Sequence, residues 1–205
     1  MTIKAVLWDF GGVISSSPFD GFAAYERRHG LPAGFIRTLN ATNADRNAWA
    51  KLERSEVGFE EFCSLFEAEA AAAGHAIDAR SVMGMLAGEL RPEMVLAVRR
   101  CKERLKVGLL TNNFMADQAG RDRHDVLGMF DVIVESSKVG VRKPDTRFYE
   151  MACHELAIEP PEAVFLDDLG VNLKPARAMG MTTIKVGEPG QALDELEGVV
   201  GFPVR

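Results

Sequence analysis

The sequence predicts an α/β protein with a doubly wound parallel sheet and a small all-helical cap inserted after the first strand. Short apolar runs alternate with helical patterns along most of the chain. This alternation is typical of buried parallel strands joined by helices. From residue 18 to about residue 88, amphipathic helical patterns replace the strand patterns. We therefore expect an α/β core formed by residues 1–17 and 89–205, and a helical cap formed by residues 18–88.

The amino-acid composition and its patterning exclude several classes of function. The chain has 205 residues and a formal net charge of -6, and this acidic balance argues against general nucleic-acid binding. No apolar run reaches transmembrane length, and the beginning of the chain lacks a signal-peptide pattern. The three cysteines are far apart and lack metal-binding spacing. We expect a cytoplasmic protein with a small-molecule partner and with no nucleic-acid or membrane partner, and the oligomeric state stays open.

Five apolar runs are predicted to be the strands of the sheet. Helices are expected between them, and residues 136–143 are expected to form a loop before the helix that Pro144 begins. The predicted strands are residues 3–8, 107–110, 130–135, 163–166 and 182–186. The predicted core helices are residues 92–105, 115–127, 144–156 and 170–179, with a last helix or turn near Asp194.

The cap region is predicted to contain five helices. They cover residues 19–29, a segment that opens at Pro32, a segment through Trp49 and Leu52, residues 59–74, and residues 79–87. Either Asn43 or Asp45 is expected to cap the third of these helices. Phenylalanines recur on one face of the fourth, which favours the packed core of a helix bundle over a cofactor site.

Asp9 follows the first predicted strand directly and precedes Gly11 and Gly12. In an open α/β sheet, ligands bind at the carboxyl ends of the strands. Glycines at that point let backbone amides approach an anion closely. Asp9 is therefore a candidate nucleophile or metal ligand, although a carboxylate that merely caps a turn explains this stretch equally well.

Two further strand ends and one loop carry polar groups that match Asp9. Thr111 and Asn112 follow the second strand, and Asp167 and Asp168 follow the fourth, while Lys143 lies in the loop after the third. Parallel strands bring their carboxyl ends to one edge of the sheet. Phosphoryl transfer needs positioning, neutralisation of an anion and a divalent metal, and grouped carboxylates favour Mg²⁺.

Four sequence motifs, in order, resemble those of the haloacid dehalogenase (HAD) superfamily over nearly the whole chain. They lie at residues 8–14, 110–113, 142–145 and 165–177. The most similar subgroup is the one that includes the N-terminal phosphatase domain of soluble epoxide hydrolases. The resemblance implies a Rossmann-like core, and the helical insert has the position of the cap domain found in that superfamily.

The resemblance also implies roles for individual residues. Asp9 would attack phosphorus and form an aspartyl-phosphate, which water then hydrolyses. Thr111 and the backbone of Asn112 would hold the phosphate oxygens. Lys143 would neutralise the phosphate and Asp9 together.

The same resemblance implies a Mg²⁺ site. Asp9, Asp168 and the main-chain carbonyl of Gly11 would be the metal ligands. Asp167 would support them from a second layer, and Asn172, at a position where many members carry an acid, could hold a metal-bound water.

Gly11 is the main departure from the phosphatases of this superfamily, which usually carry a second aspartate two residues after the nucleophile. That aspartate protonates the leaving oxygen and later activates water, and losing such a group costs roughly 10²–10⁴-fold in rate. The enzyme could act on esters with good leaving groups, or catalysis could be vestigial. A cap residue could also replace the missing acid, and the candidates are Asp20, Glu53 and Glu56.

We expect a Mg²⁺-dependent phosphatase for small phosphate monoesters. Two alternatives stay open, a phosphate-ligand binding module with weak catalysis and a metal-independent 2-haloacid dehalogenase, which also uses an aspartate nucleophile and lacks the second aspartate. The cap is expected to supply the substrate pocket. Trp49, Arg46 and Phe19 are candidate lining residues, although packing or surface exposure explains each equally well.

Overall fold

The computed structural model describes residues 2–86, 88–113 and 121–205. Five strands form one parallel sheet in the order β3–β2–β1–β4–β5. This sheet and the helices around it confirm the predicted fold class. The strands are β1 (Ala5–Trp8), β2 (Lys106–Thr111), β3 (Val132–Glu135), β4 (Ala163–Asp167) and β5 (Thr182–Lys185).

In the described part of residues 18–88, five helices form the cap, with a hydrophobic core of their own. Trp49 packs edge-on against Phe22, Phe62 and Phe66, with ring centroids 5.6–5.7 Å apart. Aromatic pairs in this geometry add to the stabilisation that burial provides. The cap helices are α1 (Pro18–His29), α2 (Phe35–Ala41), α3 (Ala48–Glu53), α4 (Phe59–Ala72) and α5 (Ala79–Gly84).

The remaining helices belong to the α/β core. Residues 115–120 of the predicted helix 115–127 lie outside the described part of the chain. The core helices are α6 (Pro92–Lys102), α7 (Arg121–Leu127), α8 (Ser136–Val139), α9 (Thr146–Leu156), α10 (Gly170–Ala178) and α11 (Pro189–Val200). Among the helices that the structure describes, none combines the length and the apolar character that crossing a membrane requires.

Side chains of β1 alternate between the two faces of the sheet, and each face has its own hydrophobic core. Val6 and Trp8 pack with residues of α6 and α11, whereas Ala5 and Leu7 pack with residues of α9 and α10. All four of these β1 side chains are fully buried. A strand that is covered on both faces must be apolar throughout, which explains the continuous apolar run in the sequence.

The register of the sheet brings the predicted strand ends together. Trp8 pairs with Leu109 of β2 and with Leu166 of β4. Asp9 continues this alignment, because its backbone N–H donates to the carbonyl of Leu166 at 2.9 Å. Asp9 and Asp167 therefore leave neighbouring strands side by side.

The two segments that join the cap to the core pair with each other. The N–H of Ser16 donates to the carbonyl of Glu89, and the N–H of Arg91 donates to the carbonyl of Ile14, both at 2.8 Å. This short antiparallel bridge begins directly after the turn that carries Gly11 and Gly12. The cap is therefore attached beside the carboxyl edge of the sheet.

Gly12 allows the turn after β1 to lie against the end of β4. Its φ is +76°, a conformation that favours glycine. A Cβ atom at this position would lie 2.3 Å from Oδ2 of Asp168. Gly11 differs, because its φ of -69° suits any residue and a Cβ atom there would meet the Pro18 ring at an ordinary 3.8 Å.

Some sequence predictions about local structure were wrong. Helices α2 and α9 begin at Phe35 and Thr146 rather than at Pro32 and Pro144. Asn47, rather than Asn43 or Asp45, caps the third cap helix: its side chain accepts a hydrogen bond from the N–H of Ala50 at 2.8 Å. Residues 43–47 offer three residues that are good caps, so composition alone could not choose among them. The predicted loop 136–143 contains the short helix α8, which has too few residues to show a helical period.

We expect Asn47→Ala to lower the free energy of unfolding by about 1–3 kcal/mol, because it removes the cap and the amide that donates to two partly buried backbone carbonyls. The Asn47 amide donates to the carbonyls of Asn40 and Thr42 at 2.8 and 3.0 Å. Urea denaturation measures the change. Asp45→Ala is the matched control, since Asp45 is exposed and does not cap the helix. Equal loss in the two variants would contradict the assignment of Asn47.

Gly12→Ala is expected to destabilise the protein by more than about 2 kcal/mol, because the new methyl group meets Asp168 and the left-handed backbone disfavours alanine. Gly11→Ala should change the free energy of unfolding by no more than about 1 kcal/mol, since its backbone is extended and the space is free. Denaturation curves of the two variants, compared side by side, test this contrast. A Gly12→Ala variant whose free energy of unfolding is nearly unchanged would show that Asp168 does not pack against this turn.

Candidate active site

A buried ammonium group lies at the centre of the candidate site. Nζ of Lys143 is 2.8 Å from Oδ1 of Asp9 and 2.8 Å from Oδ2 of Asp167. The side chains of Lys143 and Asp167 are almost completely buried, and that of Asp9 is 12% exposed. Burying a charge is costly unless it is paired, so the ammonium stabilises the ionised form of both carboxylates and they stabilise the charged ammonium. The structure thus brings three predicted site residues into direct contact.

Asp167 is surrounded by donors and is fixed in one orientation. Its Oδ1 accepts hydrogen bonds from the N–H of Leu169 at 2.8 Å and from the Asn172 amide at 3.0 Å. The same amide lies 3.1 Å from Oδ2, which also binds Lys143. The carbonyl of Asn172 in turn accepts a hydrogen bond from the hydroxyl of Tyr149 at 2.7 Å. The amide of Asn172 therefore supports Asp167, and the contact of Asn172 with a metal-bound water stays a prediction.

Asp168 completes a cluster of three carboxylates. One carboxylate oxygen from each of Asp9, Asp167 and Asp168 lies within 4.8 Å of the other two. Three carboxylates face one ammonium group, which leaves an excess of negative charge. Hard oxygen donors with excess negative charge suit Mg²⁺, so the residues present fit this ion. Since the oxygens of Asp167 are occupied by Lys143, Asn172 and Leu169, Asp9 and Asp168 are the better candidate ligands.

The pKa values of the carboxyl groups reflect this crowding. Burial raises the pKa of Asp168 to about 6, and the neighbouring charge of Asp167 adds to the rise. Burial also raises the pKa of Asp9 well above its usual value, although the ammonium of Lys143 opposes that shift. Desolvation acts to lower the pKa of Lys143, but the charges of Asp167 and Asp9 raise it overall. A cation bound at this cluster would favour ionised carboxylates.

Asn112 holds the loop that carries Lys143. Its side-chain oxygen accepts a hydrogen bond from the N–H of Lys143 at 2.9 Å, and its amide donates to the carbonyl of Lys143 at 3.0 Å. The side chain of Asn112 is therefore engaged with the protein, and its backbone stays the predicted phosphate contact. Thr111 ends β2 at this edge of the sheet, in register with Glu135.

Asn113 connects the same strand end to α8, a contact that the sequence did not indicate. Its N–H donates to the hydroxyl oxygen of Ser136 at 2.9 Å, and its amide donates to Glu135 at 2.8 Å. The hydroxyl of Ser137 donates to the side-chain oxygen of Asn113 at 2.9 Å. This network fixes the start of the segment that leads to Lys143.

Of the three candidate replacement acids, two are engaged elsewhere. Glu53 is buried and contacts Trp49 and Arg142. Glu56 is half exposed and forms an ion pair with Arg54. Asp20 is exposed in the first turn of α1, two residues after Pro18, the residue that faces Gly11.

The three candidate lining residues all lie in the cap, in different surroundings. Trp49 belongs to the aromatic core of the cap, and its indole N–H donates to Glu53 at 3.0 Å. Phe19 is partly buried and packs between Phe22 and the guanidinium of Arg37. Arg46 is exposed.

Arg91 is a neighbour of the site that the sequence analysis did not identify. Its guanidinium donates to the carbonyl of Gly12 at 2.7 Å, and its charge slightly opposes the raised pKa of Asp168. Arg91 is the N-cap residue of α6, directly before Pro92. No sequence pattern links a basic residue in that position to the end of a distant strand.

Comparison with known proteins shows which family the chain belongs to. The family model described as haloacid dehalogenase-like hydrolase matches residues 3–180. Acyl-CoA dehydrogenase family member 10 of Mus musculus is 33% identical over 98% of this chain, and Bifunctional epoxide hydrolase 2 of Sus scrofa is 29% identical over 98%. The chain spans 19% and 39% of the lengths of these two proteins. Phosphatase MT3486 of Mycobacterium tuberculosis is 31% identical, with 95% of this chain and 92% of that protein covered.

Solved structures show the same fold. A predicted HAD-like family hydrolase from Porphyromonas gingivalis has a TM-score of 0.67 at 19% identity, covering 96% of this chain and 98% of that one. A HAD family enzyme from Bacteroides thetaiotaomicron, in complex with magnesium and inorganic phosphate, has a TM-score of 0.59 at 18% identity, covering 91% and 96%. With the family match over residues 3–180, these findings confirm the predicted relationship, and the chain belongs to the haloacid dehalogenase-like hydrolases.

Proposed function

We propose that the protein is a Mg²⁺-dependent phosphatase for small phosphate monoesters that acts through an aspartyl-phosphate on Asp9. The observation that carries the proposal is the Lys143 ammonium, which lies 2.8 Å from both Asp9 and Asp167 beside the third carboxylate, Asp168. This set combines a nucleophile, a buried cation and donors for a divalent metal. Phosphoryl transfer requires these three components, because its catalysis depends mainly on positioning and charge stabilisation.

Two of the related proteins agree with this assignment. Phosphatase MT3486 is named as a phosphatase, and it matches this chain over nearly all of both lengths. The Bacteroides enzyme of the same fold was crystallised with magnesium and inorganic phosphate. Both support phosphate ester chemistry for this chain.

In the proposed reaction, a carboxylate oxygen of Asp9 attacks phosphorus, and the bond between phosphorus and the leaving oxygen breaks. Water then attacks the same phosphorus, the acyl-phosphate bond breaks, and Asp9 returns as a carboxylate with release of inorganic phosphate. Lys143 holds Asp9 in place and offsets negative charge in both steps. Thr111 and the backbone N–H of Asn112 are proposed to hold the phosphate oxygens.

Bound Mg²⁺ would supply charge that keeps Asp9 ionised and stabilises the transferring phosphoryl group. Asp9, Asp168 and the carbonyl of Gly11 are the proposed ligands. Asp167 keeps Lys143 and Asn172 in place. Of the two adjacent acids, Asp168 is therefore proposed to bind the metal and Asp167 to hold the lysine.

The leaving oxygen needs a proton that the side chain at position 11 cannot supply, because this residue is glycine. Esters with a good leaving group, such as aryl or acyl phosphates, depend least on that proton. Glu53 and Glu56 contact arginines of the protein, whereas Asp20 lies two residues after the proline that faces Gly11. We therefore propose good leaving groups as the preferred substrates and Asp20 as the first cap residue to test.

Asp9→Asn is expected to lower phosphate ester hydrolysis more than about 10³-fold, because the amide cannot act as the nucleophile. The measurement is phosphate release from a panel of monoesters, with Mg²⁺ and with EDTA. Asp45→Asn, an exposed substitution of the same kind, should retain wild-type rates.

Two outcomes would overturn the proposal. Metal-independent halide release from a 2-haloacid would show that the protein is a dehalogenase. Phosphate ester binding without turnover of any substrate would show that it is a binding module.

Gly11→Asp is expected to raise the turnover of alkyl phosphates by about 10-fold or more while changing that of aryl phosphates little, because alkyl leaving groups need the proton. The backbone at Gly11 accepts a side chain, with the Pro18 ring 3.8 Å from the Cβ position. Parallel kcat measurements on one alkyl and one aryl ester test this. Gly11→Asn is the control of equal size without the acid. A gain of equal size in the Asn variant would show that the effect is not acid catalysis.

A further inference from the structure

Glu53, the last residue of α3, contacts both the cap and the core. One carboxylate oxygen accepts a hydrogen bond from the indole N–H of Trp49 at 3.0 Å. The other lies 2.8 Å from Nε of Arg142, in an ion pair without hydrogen-bond alignment. The Glu53 side chain is 9% exposed and that of Arg142 is 21% exposed. Because Arg142 directly precedes Lys143, this pair joins the cap to the loop that supplies the central cation of the site.

Two more hydrogen bonds cross between the cap and the core at the same place. A guanidinium nitrogen of Arg142 donates to the carbonyl of Ala44 at 2.9 Å. The hydroxyl of Ser55 donates to the carbonyl of Ser137 at 2.8 Å. All these contacts run from residues 44–55 of the cap to residues 137–142 of the core. The contacts thus form one compact junction.

The Glu53–Arg142 ion pair at this junction is more buried than an ordinary surface ion pair. Burial raises the pKa of Glu53, and the charges of Arg142 and Lys143 oppose the rise. Glu53 therefore lies within the electrostatic field of the catalytic lysine. An ion pair that is largely removed from water contributes little when intact compared with the cost of leaving one partner alone. If the cap separates from the core here, Glu53 and Arg142 lose each other as partners. This cost opposes separation until both charged groups are solvated or bind another ion.

We propose that Glu53 and Arg142 are positioning residues that latch the cap over the active site and hold the Lys143 loop from the cap side. The core already holds this loop through the two hydrogen bonds of Asn112 to the backbone of Lys143. The latch supplies the second support, from Arg142 through Glu53 to Trp49 and the aromatic core of the cap. Its effect on catalysis rests on the proposed phosphatase function, whereas its effect on the cap does not.

Hydrogen–deuterium exchange of the protein without substrate tests the latch independently of activity. In Glu53→Gln, the amide can still accept from Trp49 but loses its charge, and in Arg142→Gln the cation is removed. In both variants we expect amides of residues 44–55 and 137–142 to exchange about tenfold faster or more, with the strands of the sheet unchanged. The double variant should be accelerated no more than the single ones, because the loss of the first residue already breaks the pair and the loss of the second leaves no buried charge unpaired.

Glu56→Gln is the matched control, since it breaks the half-exposed ion pair with Arg54 inside the cap. It should leave exchange at the junction as in the wild type. Wild-type exchange at the junction in both latch variants, or equal acceleration in Glu56→Gln, would overturn the latch. Arg142→Gln breaks the same ion pair by changing its more exposed partner. If Glu53→Gln does not fold, the exchange measured in Arg142→Gln is the test.

Kinetics then test the link to the reaction. A less populated closed state lowers apparent affinity in proportion to its population, so KM should rise about tenfold while kcat changes less than about threefold. Arg142→Lys keeps the charge and should recover part of the loss in KM. A fall in kcat alone, with KM unchanged, would overturn the positioning role. If the wild type hydrolyses no phosphate ester, the proposed function fails, and the exchange experiment still decides the latch.

Discussion

The active-site edge of the sheet depends on one interaction, the buried ammonium of Lys143 between Asp9 and Asp167. A charge in this position is tolerated only with partners at hydrogen-bonding distance, and each partner comes from a different part of the chain. The ends of β1 and β4 must therefore lie side by side, and the loop after β3 must return to meet them. The neutral groups nearby serve the same requirement, because Asn172 orients Asp167 and Asn112 fixes the backbone of Lys143.

This arrangement gives two adjacent, chemically identical residues different surroundings. Asp167 is the last residue of β4 and is fully buried, so its oxygens meet the lysine and the Asn172 amide. Asp168 lies one residue beyond the strand, packed over Gly12 and partly open to solvent. Successive side chains of a strand point in opposite directions, so two adjacent acids at the end of β4 meet different neighbours. This difference underlies the proposal that Asp167 supports the site and Asp168 binds the metal.

The sequence predicted the sheet, the cap and the set of strand-end residues because each rests on a short-range pattern. Buried parallel strands are continuous apolar runs, and a polar residue that ends one is visible without any structure. The partner of Glu53 was not visible in this way, because Arg142 lies in a distant loop and no spacing rule links the two. Asn47 and α8 were missed for a different reason, since several good caps compete within five residues and a four-residue helix shows no period.

The two glycines that follow Asp9, the proposed nucleophile, differ in whether the fold requires glycine. Gly12 has a positive φ and faces Asp168 so closely that a Cβ atom would overlap the carboxylate, so the fold itself requires glycine there. Gly11 has an extended backbone, and a Cβ atom would find only an ordinary contact with Pro18 among the described residues. Lack of space therefore does not explain why position 11 carries no carboxylate. The fold therefore does not impose the absence of the acid, and this is why we propose substrates whose leaving groups depart without a proton from this position.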